Sequence, residues 1–110
     1  MKILHLSLKK GPFEIMSKGD KKMEFRKRSK WIMSRLVNKD GSLRHYDVVQ
    51  FVNGYSKDAP RFQVEYKGFE YEDQVREYKY NKGPVIKTSP GDIIIKLGAI
   101  VIPLSQDRVL

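Results

Sequence analysis

The residues best placed to do chemistry sit in the stretch Gly19-Asp20-Lys21-Lys22-Met23-Glu24-Phe25-Arg26. A lysine, a carboxylate and a guanidinium within six positions offer a proton carrier, an acid or base, and a fixed cation. Strand parity puts Glu24 and Arg26 on one face, where they can pair, with Met23 and Phe25 on the other. Lys21 lies three residues before Glu24 and joins that face only if it belongs to a turn or a bulge shifts the register. Two chemistries follow. Lys21 could take a proton from water if burial or the neighbouring Lys22 and Arg26 lower its pKa, with Glu24 relaying it. Alternatively, Glu24 forms a structural ion pair with Lys21 or Arg26 and lines a cleft that binds a ligand.

Charge favours an anionic partner. The 110-residue chain has a formal net charge of +9, and residues 1–35 hold 11 Lys and Arg against Glu14, Asp20 and Glu24. The other 75 residues are nearly balanced, with 11 basic and 10 acidic side chains. A local excess of this kind is the footprint of a polyanion, because each neutralised phosphate releases counterions. Lys9, Lys21, Arg26, Lys27, Arg28 and Lys30 make up the candidate phosphate-binding face, with Lys10 extending its rim. Trp31, the only tryptophan, stands among them and suits either base stacking or core packing. Asn53, Tyr55 and Lys57 add an amide for a base edge, a ring and a cation at a turn, where small barrels carry function. Ser7 faces either a ligand or solvent.

Composition excludes other classes. Without cysteine there is no disulfide, thiolate nucleophile or thiolate metal site, and His5 and His45 stand apart from any ligand-like spacing. No metal and no cofactor is expected. No apolar run reaches the ~18 residues that a membrane-spanning helix needs, and the first 20 residues carry Lys2, Lys9, Lys10 and Lys18 in place of a signal peptide's apolar core. The expectation is a soluble, cytoplasmic protein of one domain over residues 1–110, with a tail from 106 to 110.

The elements that must position these residues can be read in order. Lys2 to Leu8 alternates as a strand with Leu4, Leu6 and Leu8 inward. Gly11-Pro12 starts a short helix to Lys18, capped by Gly19. After the Met23–Arg26 alternation, Ser29 caps a second helix through Trp31, Ile32, Arg35 and Leu36. Strands are expected over Tyr46–Val52, ending at the Asn53-Gly54 turn, and over Arg61–Tyr71, with a bulge at Gly68. Further strand-prone sequence surrounds Tyr78 and Tyr80 and runs from Asp92 past Gly98 to Leu104. Five or six strands with two short helices predict a mainly β chain with short helices (α+β), its sheet curled into a small barrel.

Gly19-x-Lys21-x-x-Glu24-x-Arg26 resembles the signature of the ASCH domain family. Leu6-Ser7-Leu8 and Pro12-Phe13 before it, Tyr46-Asp47-Val48-Val49 after it, and Gly91-Asp92 ahead of a hydrophobic strand resemble that family in the same order, so the similarity covers nearly the whole chain. The resemblance implies a PUA-like mixed or antiparallel β-barrel with two or more helices packed on it and the motif beside a cleft. Family members include RNA-binding modules, ribonucleases and a small group that hydrolyses N-acylcytidine. In that group the motif lysine acts with a threonine three positions later and a more distant glutamate. Lys21 fits the first, Glu24 stands in place of the threonine, and Asp73 to Lys82 offers no clear equivalent of the segment that supplies the third. Three functions follow as expectations: binding of RNA or a nucleotide, hydrolysis of an RNA linkage or modified nucleoside by Lys21 and Glu24, and docking of an acidic protein. The first carries the reading.

Overall fold

A computed structural model describes residues 1–8, 22–54, 56–79 and 85–102 of the chain. The described strands are β1 (Ile3–Ser7), β2 (Met23–Arg26), β3 (Val48–Val52), β4 (Arg61–Tyr71), β5 (Arg76–Tyr78), β6 (Ile86–Thr88) and β7 (Ile93–Ile102), with one helix, α1 (Lys30–Leu36). Five strands form a sheet in the order β1-β3-β4-β7-β2, and β5 and β6 form a separate two-stranded ribbon. The chain is thus mainly β, its large sheet curled into a half-barrel. The helix expected over Pro12 to Lys18 and the tail from 106 to 110 lie outside the described residues.

β1 pairs with β3 in parallel, Leu4 opposite Val49 and Leu6 opposite Phe51. These four side chains are buried, which confirms the parity reading of the first strand. β4 runs antiparallel to β3, setting Phe62 against Phe51 with ring centroids 5.4 Å apart. β7 closes the core with Ile93, Ile95 and Leu97. Its pairing with β4 slips three times, and Gly68, at φ +92°, falls within the last slip, between Tyr66 and Phe69. Each slip bends the sheet, and this is how it curls within so few strands. The strand expected from Tyr46 starts only at Val48, because Tyr46 turns its hydroxyl to the Arg35 carbonyl and its ring edge to Tyr66.

α1 begins where Ser29, with extended backbone, accepts a hydrogen bond from the Ile32 N–H at 3.2 Å. Ile32 and Leu36, one turn apart, are buried in the core, each stabilising the fold by about 1.5–3 kcal/mol. Val37 ends the helix by returning to extended backbone and bridging to Leu43. Trp31 and Arg35 occupy the opposite face, the guanidinium 5.1 Å from the indole centroid. Among the described residues no helix is long and apolar enough to cross a membrane.

Candidate functional site

β2 has no solvent face of the ordinary kind. Glu24 and Arg26 sit opposite Ile95 and Ile93 of β7 and share their interior side, while Phe25, opposite Ile94, packs outward on Tyr78 with ring centroids 4.6 Å apart. Glu24 is only 4% exposed, and its Oε2 accepts from Arg26 Nε at 2.7 Å. A carboxylate so buried needs a charged partner, since desolvation alone would cost several kcal/mol. Arg26 uses its other arm to donate to the Ser7 carbonyl at 2.7 Å, at the exit of β1. β1 and β2 are the two outer strands of the sheet. One guanidinium, braced by a buried carboxylate on its own strand, therefore ties the opposite edges of the half-barrel together. The pairing of Glu24 with Arg26 expected from sequence is present; Gly19 and Lys21 lie outside the described residues.

The basic cluster that is contiguous in sequence is divided in space. Arg26 points into the half-barrel. Lys27 reaches Asp92 at 3.0 Å, and the Arg28 guanidinium lies 5.5 Å from the Tyr71 ring centroid. Lys30 is exposed at the start of α1, and Lys9 lies outside the described residues. Asp92 also accepts from the Ser89 N–H at 2.9 Å. Burial pushes its carboxyl up, but the Ser89 N–H and the Lys27 ammonium outweigh this and hold it below its ordinary value. Next to it, Glu72 gathers the base of the β5–β6 ribbon. Its Oε2 accepts from Tyr78 and Thr88 hydroxyls, each at 2.8 Å, and its Oε1 from Arg76 Nε at 3.0 Å and the Asp73 N–H at 3.1 Å. Burial works against the charge, yet the Thr88 and Tyr78 hydroxyls and the backbone N–H groups of Gln74 and Asp73 bring its pKa down to about 2. This network is an anchor for the ribbon.

Trp31 is 49% exposed and borders a cavity of about 500 Å³ whose other walls include His5, Ser7, Gln50, Lys57 and Arg61. β1 and β3 place His5 beside Gln50 and Ser7 beside Val52, on the face opposite the leucines. The Gln50 Oε1 accepts from Gln63 Nε2 at 2.9 Å, which fixes the amide plane. Arg61 braces the far wall, donating to the carbonyls of Ala59 at 3.2 Å and Lys57 at 2.8 Å. An open slot with an indole wall, an oriented amide, an imidazole and an ammonium can seat a planar polar ring and an adjoining anion. Of the turn residues expected here, Lys57 lines the slot. Asn53 closes the turn with its N–H on the Pro60 carbonyl at 3.0 Å, and Tyr55 lies outside the described residues. His5, Gln50 and Arg61 were not foreseen. Parity puts His5 opposite the leucines, but only the parallel partner, unreadable from sequence, brings Gln50 beside it.

Two further cavities share the segment Leu43–Tyr46. One, of about 330 Å³, is lined by Lys2, Ile3 and Asn38 with that segment; the other, of about 390 Å³, by Tyr66, Lys67, Gly68 and Phe69 with it. The Tyr46 and Tyr66 rings meet edge-on, centroids 5.5 Å apart, and burial with the neighbouring Tyr46 raises the Tyr66 phenol to about 12. Among the described residues no group of three His, Asp or Glu side chains could hold a metal ion. In comparisons with protein-family models, curated proteins and solved structures, nothing matches this chain.

Proposed function

We propose that this chain is a PUA-like, ASCH-type domain that binds single-stranded RNA or a nucleotide, with Trp31 as the stacking wall. The observation that carries the reading is the half-exposed lone indole on an open slot of about 500 Å³ beside His5, Gln50 and Lys57. A core tryptophan would be covered; this one is held at the rim by Arg35 and leaves a face for a base. Base–aromatic stacking contributes about 1–3 kcal/mol per base and tolerates any sequence. The amide of Gln50 supplies an edge contact, Lys57 a phosphate contact, and the surplus positive charge the long-range attraction.

The test is fluorescence anisotropy with a labelled RNA oligonucleotide. Trp31→Ala should weaken binding about 5- to 150-fold, the equivalent of one stacked base, and Lys57→Ala should lower the salt dependence by about 0.7 in log–log slope, as one phosphate contact. Binding unaffected by Trp31→Ala would refute the reading. Mass spectrometry of the same RNA and of N-acylated nucleosides covers hydrolysis. Product from the wild type and none from folded Lys21→Ala would replace binding by catalysis.

A further inference from the structure

The residues around the second and third cavities form a surface that the Trp31 slot does not use. Both ends of β1 are lined by cavities, His5, Leu6 and Ser7 at one end and Lys2 and Ile3 at the other. Ile3 and Ser7 are four strand steps apart, about 13 Å. α1 spans the same interval, with Trp31 at the first cavity and Asn38, just past its last turn, at the second. Arg35 joins them. Its guanidinium lies on Trp31 while its carbonyl accepts the Tyr46 hydroxyl, and Tyr46 lines both the second and third cavities.

This surface brings cations and aromatic rings together. Lys2, Arg44, His45 and Lys67 are exposed, and Tyr46, Tyr66 and Phe69 are half-buried between them. The nearby carboxylates are engaged: Asp47 accepts from the Lys2 backbone N–H at 2.8 Å, and Glu65 from the Ala99 N–H at 2.8 Å with Lys67 3.7 Å away. The Arg44 side chain makes no hydrogen bond or ion pair among the described residues; only its backbone N–H is used, on Leu36. A guanidinium with no side-chain partner among the described residues, set between two hollows walled by rings, suits a sugar-phosphate chain whose bases stack at intervals.

We propose that the binding track runs from the Trp31 slot over Arg35 and Tyr46 to a second subsite at Arg44 and Lys67, so that the ligand is a single-stranded oligonucleotide and not a mononucleotide. The inference rests on the RNA reading above and extends it. An acidic peptide would need cations alone, whereas here rings alternate with them.

The experiment compares labelled oligouridylates of about 3 and about 9 nucleotides, chosen within and beyond one stacking site. The wild type should bind the longer at least about 10-fold tighter, and Arg44→Ala/Lys67→Ala should remove that advantage, lowering the salt slope for the longer oligomer by about 1.4. Binding of the short oligomer should be unchanged. Lys79→Ala/Lys87→Ala removes equal charge at the β5–β6 ribbon, whose residues line none of the three cavities, and should leave the advantage in place. Equal weakening of both oligomers, an equal loss in the control variant, or tighter binding of an acidic peptide than of RNA would overturn the second subsite. Loss confined to Trp31→Ala would overturn it too, while sparing the parent reading; no effect of Trp31→Ala would sink both.

Discussion

Glu24 is a charge where a small barrel ordinarily keeps an aliphatic side chain. Its neighbours across β7 and around it are Ile93, Ile95 and Leu97, all buried. Removing it leaves Arg26 facing those aliphatics, but the guanidinium is 25% exposed and also holds Ser7, so hydration offsets part of the loss. Glu24→Ala should therefore cost about 2–3 kcal/mol, less than the ~3–5 kcal/mol of a fully buried pair. A lower denaturation midpoint in urea with unchanged slope would show it. Glu24→Gln keeps an acceptor for Arg26 and should lose less. If both variants were as stable as the wild type, the carboxylate would have no structural role and the hydrolase reading would gain.

At the scale of elements, the β5–β6 ribbon depends on one carboxylate. Glu72 ionises at about 2 in the folded chain against an ordinary 4.5. Its folded pKa is depressed, so the stabilisation is fully present above about pH 4.5 and fades as pH falls towards 2. Acidification through that window should release amide protection in 76–78 and 86–88 before the core strands exchange, and hydrogen exchange read by mass spectrometry reports it. Glu72→Gln should show weak ribbon protection already at neutral pH. β1, β4 and α1 were legible in the sequence because each obeys a local period: leucines at alternate positions, Phe62 and Val64 two apart, Ile32 and Leu36 four apart behind a serine cap. β5 and β6 were not. They have three residues each, flanked by exposed Val75 and Val85, and what holds them is Glu72, which lies outside both strands.

For the whole molecule, the sequence names candidate site residues by type and does not say where they go. Arg26, Lys27, Arg28 and Trp31 read as one basic face, yet strand β2 sends Arg26 inward, Asp92 and Tyr71 draw Lys27 and Arg28 to the start of β7 and the end of β4, and α1 carries Trp31 to the other side of β1. Those destinations depend on which strands become neighbours, and sheet order is a long-range property that alternation does not encode. The same order has a consequence for synthesis. β2, near the start of the chain, finds its sheet partner only in β7, the last described strand. At a ribosomal rate of about 5–20 residues per second, some 76 residues separate the emergence of Arg26 from that of Ile102, a wait of roughly 4–15 s. Through that interval Glu24 and Arg26 stay in water, where their charges are at no cost. They are taken inside only when β7 arrives, so β2 stays hydrated and without its sheet partner until translation has delivered the strand that buries it.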